Sequence, residues 1–306
     1  MKNKFKVIFW GLGSIGKRHL KNLKEIATNR GYSLEIHSFK SKRSSNHFEG
    51  VKEIYNIEDL DNDYDITFIT NPTSMHHETL KIMDKKSNFF FIEKPVFANY
   101  TNIKHLHTNP DYIYVASPLR YKKIIKYIQE VCRTESVYNA RSICSSYLPD
   151  WRQQDYRLSY SAIPDLGGGV DLDLIHELDY IIYIFGIPKT YFSERDKVSN
   201  LEIKTFDTAN YILKYNNNIV EIHLDYFGRV PVRKLELITD KNTYEFNFNN
   251  NYIKTLDNNK IIQLSENRNF MYIKELEYFF DKVVEEVENS NNLFHAIEVL
   301  KIAKGE

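Results

Sequence analysis

Three short segments of this 306-residue chain bring together groups that could do chemistry. The first is Gly11-Leu12-Gly13-Ser14-Ile15-Gly16. Glycines at this spacing permit a tight turn, close approach of the main chain to a diphosphate, and close contact of a helix with the strand before it. The helix that follows points its first amides at the anion. Gly11, Gly13, Ser14, Ile15 and Gly16 are therefore candidate dinucleotide ligands, the alternative being a purely structural turn. The second segment is Phe91-Ile92-Glu93-Lys94-Pro95. A lysine at the end of a parallel strand lies on the edge where ligands bind, and Pro95 biases Lys94 towards an extended backbone. Alone, such a tripeptide is equally a surface turn. The third is Gly167-Gly168-Gly169-Val170-Asp171-Leu172-Asp173-Leu174-Ile175-His176-Glu177-Leu178-Asp179. On one helix Asp173 and His176, and His176 and Asp179, would share a face, and a carboxylate-oriented imidazole can pass a proton near neutral pH. A capped helix start with a satisfied histidine is the alternative.

The choice of dinucleotide turns on the end of the second strand. A carboxylate there would take the adenosine ribose hydroxyls, whereas a cation would accommodate a 2'-phosphate. The chain reads Lys40-Ser41-Lys42-Arg43-Ser44, with no carboxylate, which favours NADP over NAD; a solvated basic loop is the structural alternative. For a substrate, Trp151, Arg152, Asp155, Tyr156, Arg157 and Tyr160 combine aromatic surface, hydroxyls and guanidinium forks suited to a polyhydroxylated molecule with an anionic group. Arg120, just past the first domain, is grouped with them, and the alternative is a polar surface loop. His76, His77 and His176 show no spacing that matches a metal-ligand set.

Positioning these groups requires two kinds of architecture. Up to about residue 119, short apolar runs (6–10, 33–39, 66–70, 89–92 and 112–116) alternate with helical stretches (19–30 and 76–85), the pattern of a doubly wound parallel sheet. Beyond it come a helix (121–131), a strand (136–147), a helical stretch (170–184) and a meander of alternating runs: 208–215, 219–226, 233–239, 243–248 and 252–256. That is an antiparallel sheet with one polar face, followed by a helix over 271–287 and another near the end. The expected domains are 1–119 for the dinucleotide and 120–306 for substrate and oligomerisation.

Composition narrows the function. With 41 Lys+Arg against 41 Asp+Glu, no global field favours a nucleic acid. Two cysteines form no framework, which fits a reducing compartment. The first apolar run is cut short by Gly11 and no stretch reaches about 18 apolar residues, so a cytoplasmic protein without a membrane span is expected.

Together the segments resemble the Gfo/Idh/MocA family of oxidoreductases. The glycine loop continues Lys17-Arg18-His19, Asn71-Pro72-Thr73-Ser74-Met75-His76 matches the family's Pro-Thr-x-x-His segment, and Glu93-Lys94-Pro95 is its most characteristic tripeptide. Asp207-Thr208-Ala209 resembles the start of a family sheet strand. The resemblance implies a Rossmann domain followed by an α+β domain built on a large, mostly antiparallel open sheet. It adds Asn71, Pro72, Thr73, His76, Glu93 and Lys94 to the coenzyme contacts, beside Lys40, Ser41, Lys42 and Arg43 already read at the end of the second strand. It places Lys94 near the reacting carbon and His176 as proton donor, acceptor or orienting neighbour, while Asp173 stands three residues before the histidine instead of the family's four. Leu148-Pro149-Asp150-Trp151-Arg152, with Asp155-Tyr156-Arg157, resembles a surface-polysaccharide and nucleotide-sugar subgroup.

The expectation is an NADP-preferring enzyme moving a hydride between nicotinamide and a hydroxyl-bearing carbon of a sugar or nucleotide-sugar. The rivals are a coenzyme-binding sensor or assembly subunit without turnover, and a reductase of an imine or tetrapyrrole. A homodimer or homotetramer through the second sheet is expected from Tyr211, Leu213, Ile222, Leu224, Leu235 and Leu237; the alternative is that the domain's own helices cover them.

Overall fold

A computed structural model of the chain describes residues 3–41, 47–100, 103–285 and 288–306. The first sheet is built from β1 (Lys4–Trp10), β2 (Ser33–Phe39), β3 (Val51–Ile54), β4 (Tyr64–Ile69), β5 (Ser87–Ile92) and β6 (Ile113–Val115). Its strands lie in the order β3-β2-β1-β4-β5-β6 and every pair is parallel. Helix α1 (Ser14–Arg30) follows β1, and α2 (His76–Met83) follows β4. Both faces of such a sheet are covered, which is why β4 is buried along its whole length, Asp65 and Thr67 included. The strand order reverses between β1 and β4, so the loops after these two strands flank the crevice where doubly wound sheets bind ligands.

The second sheet is fed by α3 (Lys123–Thr134), β7 (Val137–Tyr147), α4 (Val170–Asp173), α5 (His176–Phe185), β8 (Thr190–Asp196), β9 (Thr208–Lys214), β10 (Ile219–Asp225), β11 (Phe227–Thr239), β12 (Thr243–Asn247), β13 (Tyr252–Thr255) and β14 (Lys260–Gln263). The order is β14-β13-β12-β11-β7-β10-β9-β8, antiparallel except where β7 runs parallel to β10. The expected meander is thus opened in its middle by the long β7. The chain closes with α6 (Phe270–Glu285) and α7 (Leu293–Lys304).

These elements form two units, one of residues Met1–Ala116 with Tyr272–Ile297, the other of Ser117–Met271 with Glu298–Glu306. The sequence pattern divides the chain once, after 119; the structure gives most of α6 to the first unit. There Leu276, Phe279 and Phe280 join Phe9, Phe68 and Phe91 in one core. Phe9 stacks on Phe68 with centroids 4.5 Å apart, and Phe279 meets Phe91 edge-on at 5.3 Å.

In the second unit Tyr211, Leu213, Ile222, Leu224, Leu235 and Leu237 are buried within the single chain. The Tyr211 hydroxyl donates to the Ala303 carbonyl at 2.9 Å, and the Tyr180 and Ser142 hydroxyls meet at 2.8 Å. The face expected to need a second copy is therefore covered by the chain's own elements. The opposite face carries Tyr138, Phe192, Ile212 and Ile219 exposed among ion pairs such as Arg141 to Glu236 at 3.0 Å. Among the described residues no helix is long and apolar enough to cross a membrane.

Candidate active site

The glycine loop is shaped by contacts that only glycine allows. Gly11 has φ +97°, and a Cβ there would sit 2.9 Å from the Asn71 backbone; one at Gly16 would collide with the Gly11 carbonyl. Loops after β1 and β4 therefore touch across the point of reversal, and Thr70 Oγ1 donates to the Gly11 carbonyl. Gly13, in contrast, faces open space, and no side chain caps the start of α1. The first-turn amides around Ser14, Ile15 and Gly16 are thus left to an outside anion, so this loop fits a dinucleotide diphosphate.

The loop after β5 is tied to the other two. His76 is buried, with Nε2 2.9 Å from the Asn71 carbonyl and Nδ1 3.1 Å from the Pro95 carbonyl. A neutral imidazole donates through only one nitrogen at a time, and burial holds this ring's pKa below the ordinary histidine value. His76, expected to touch coenzyme, is a strut joining the loop of Asn71 and Pro72 to that of Pro95 and Val96. Asn71 Nδ2 donates to Thr79 Oγ1 at 2.8 Å and Thr73 is buried, while Pro72, Ser74 and Met75 are exposed. Lys94 and Pro95 are joined by a cis peptide bond. The Glu93 carboxylate, also expected at the coenzyme, faces His19 of α1: Oε1 lies 2.5 Å from Nε2, and Oε2 accepts the Lys94 amide at 3.2 Å. Burial would raise its pKa, but the His19 contact and the nearby Lys94 charge hold it below the usual range. Lys94 is half-buried, on the same strand-end edge as the glycine loop.

At the end of β2 the absence of a carboxylate proves to be a feature of the strand alone. Strand β3 lies beside it in parallel register, Ser38 opposite Glu53, and Lys40 is ion-paired to Glu53. The cation read as a 2'-phosphate ligand therefore already has a carboxylate partner. Lys42 and Arg43 lie outside the described residues, and Ser41 is exposed next to them. Glu53 is the residue the sequence reading missed: its four-residue strand Val51–Ile54, starting after Gly50, is too short for a clear alternation.

In the second unit the expected single helix is broken. Helix α4 ends at Asp173 and α5 starts at His176, so the two do not share a helical face by periodicity. Asp173 is buried and its Oδ2 accepts the Tyr226 hydroxyl at 2.5 Å; burial, with the Asp173 charge, keeps that phenol protonated well above its ordinary pKa. Trp151 meets the Tyr226 ring edge-on at 5.3 Å and donates to Ser146 Oγ at 3.0 Å. His176 is half-buried at the first position of α5. Tyr226 is a second residue the sequence reading missed: it stands at the bend between β10 and β11, inside a run whose alternation gives it no distinction from other β-sheet tyrosines.

The guanidinium candidates are less free than their composition suggests. Arg120 is buried, its Nε and Nη2 held by Asp179 at 2.9 and 2.6 Å and its plane 4.5 Å from the Tyr183 ring centroid. Its fork is filled by a carboxylate of its own domain. Arg157 is paired with Asp155 at 2.8 Å and Glu202 at 2.9 Å, and Tyr156 accepts the Glu202 amide at 3.1 Å. Arg152 is exposed, its guanidinium 5.8 Å from the Tyr160 centroid. For metals, Glu35, His37 and Asp61 bring ligand atoms within 4.8 Å of one another, but the Lys6 ammonium 2.8 Å from Asp61 already supplies a cation.

A sequence model described as the Gfo/Idh/MocA oxidoreductase family, NAD-binding Rossmann fold, matches residues 5–109. No curated protein matches the chain. Among solved structures, UDP-N-acetylglucosamine 3-dehydrogenase from Acidithiobacillus ferrooxidans is similar, with TM-score 0.77, 16% identity, and 99% of this chain and 96% of that one covered. So is myo-inositol 2-dehydrogenase from Lactobacillus plantarum, with TM-score 0.75, 18% identity and 98% and 95% covered. The dehydrogenase WlbA from Bordetella pertussis, in complex with NADH and UDP-GlcNAcA, gives TM-score 0.77 at 12% identity, with 98% and 93% covered. At these identities the likeness is one of fold.

Proposed function

From a first unit whose residues 5–109 belong to the Gfo/Idh/MocA oxidoreductase family, we propose that the chain is a nicotinamide-dependent dehydrogenase acting on a hydroxyl-bearing carbon of a sugar or nucleotide-sugar. One observation carries the reading: three strand-end loops, at Gly11, Asn71 and Lys94, are bonded to one another along one sheet edge, and the third carries the amine. The similar dehydrogenases of UDP-N-acetylglucosamine and myo-inositol support the substrate class.

The coenzyme, bound by the glycine loop, supplies the hydride acceptor or donor. The chain's part is to hold it and to manage the proton that the alcohol oxygen gives up or regains. Lys94 is assigned to that proton, its backbone set by the Glu93 carboxylate and the His76 strut. His176 is assigned as a second proton-handling group, with Asp173 engaged by Tyr226 and acting on position, not on the proton. The aromatic and polar residues from Trp151 to Tyr160 are assigned to the substrate, with Arg152 as the guanidinium left for an anionic group. For the coenzyme, Lys40 to Arg43 argue for NADP and Glu53 argues against it. A dimer through the second sheet would use the face that exposes Tyr138, Phe192, Ile212 and Ile219.

The test is a panel of sugars and nucleotide-sugars with each coenzyme, read as reduced-nicotinamide absorbance, followed by Lys94→Met on the substrate found. Turnover should fall at least about 100-fold with coenzyme affinity kept. Unchanged turnover removes Lys94 from the mechanism. Coenzyme binding without turnover on any member of the panel would favour a sensor or assembly subunit instead.

A further inference from the structure

We propose that Glu53, delivered by β3, sets the coenzyme preference of this protein and selects NAD(H) over NADP(H). The proposal rests on the nicotinamide-coenzyme reading of the first unit. In a doubly wound sheet the adenosine ribose is read at the end of the second strand, normally by a carboxylate of that strand. Here β2 ends without one, but the Lys40 amide donates to the Ile54 carbonyl at 2.9 Å, so the neighbouring strand runs alongside to the same edge. Its Glu53, in register with Ser38 and paired to Lys40, brings a carboxylate to the end of β2.

The surroundings of Glu53 make it a fixed charge. Its side chain is 9% exposed and that of Lys40 13%. Lys40 donates to Oε1, the Tyr55 hydroxyl to Oε2, and His47 Nδ1 lies 3.2 Å from the same oxygen. These bonds hold the carboxylate ionised, with its pKa below the usual range, Lys40 being the largest cause. Two such oxygens have lone pairs enough to accept a ribose 2'-hydroxyl as well. A 2'-phosphate, with roughly two negative charges at neutral pH, meets a carboxylate instead, and gains Lys40 only after that ammonium leaves its partner. The arrangement repels one coenzyme and hydrogen-bonds the other, which is how like-charge placement produces specificity.

The experiment is titration of the full chain with NADH and NADPH by nicotinamide fluorescence, for the wild type, Glu53→Gln and Glu53→Ala, each variant's fold checked by circular dichroism. The wild type should bind NADH at least about tenfold more tightly than NADPH, and each variant should move that ratio at least about tenfold towards NADPH. A wild type that prefers NADPH, or folded variants that leave the ratio unchanged, overturns the proposal. If neither variant folds, the wild-type ratio decides. Binding of neither coenzyme by any form overturns the coenzyme reading itself, a different result from an unmoved ratio.

Discussion

A side chain's chemistry depends on what it already touches. Arg120 and Arg157 have the same guanidinium, yet one is buried on Asp179 and the other lies at the surface between Asp155 and Glu202. A buried ion pair is weak evidence for stability as a whole, but removing one partner leaves a charge stranded without water. Arg120→Met should therefore cost about 3–5 kcal/mol in urea unfolding, with the loss largely recovered in the double variant Arg120→Met, Asp179→Leu. If the single variant is as stable as the wild type, Arg120 is not part of the fold and returns as a substrate candidate. His76 and Glu93 follow the same logic: both stand in characteristic motifs, and both are consumed in holding the loop of Lys94.

Elements decide which residues meet. Helix α6 is separated from the first sheet by more than 150 residues of chain, yet Phe279 lies against Phe68, Phe91 and Tyr114. Nothing in its amphipathic pattern names that partner, because periodicity shows that a helix has an apolar face and not which sheet will cover it. Phe279→Ala should destabilise the protein by about 3–5 kcal/mol, as other large-to-small core changes do, measured by the denaturant midpoint at unchanged slope. A loss under about 1 kcal/mol would show that α6 is an accessory to the first core. Strand β3 makes the same point, since four residues in register beside β2 give Lys40 a carboxylate partner that β2 itself lacks.

Across the molecule, protonation links these local arrangements to stability. His37, His76 and His77 all have pKa values below the ordinary histidine value, in each case with burial as the leading cause. An unfolded chain takes up protons on these rings near pH 6.5 that the native protein refuses until lower pH, so the unfolded state binds more protons and stability falls as pH drops through that window. The melting temperature should therefore decline from about pH 7 to pH 5, and His76→Asn should flatten part of the decline. A flat wild-type profile would mean that the three rings are solvated or charged in the native state. The depressed carboxylates, Glu93 and Asp84 among them, act later: their contribution is lost only as pH falls below the ordinary carboxylate range.

The amino-acid sequence by itself determined the parallel sheet, the glycine loop that opens its first helix and the lysine at the end of β5. Each is a local signal, in which strand period, glycine freedom and the backbone bias of proline act within a few residues of the group concerned. Only the tertiary structure decided that Glu53 stands against Lys40, that Asp179 fills Arg120, that Asp173 turns to Tyr226 across a helix break, and that α6 completes the first core. Those outcomes depend on strand order and on contacts between residues far apart in the chain. Spacing along a sequence carries no record of which distant charge will be buried beside which, because the cost of stranding a charge is set by the fold around it.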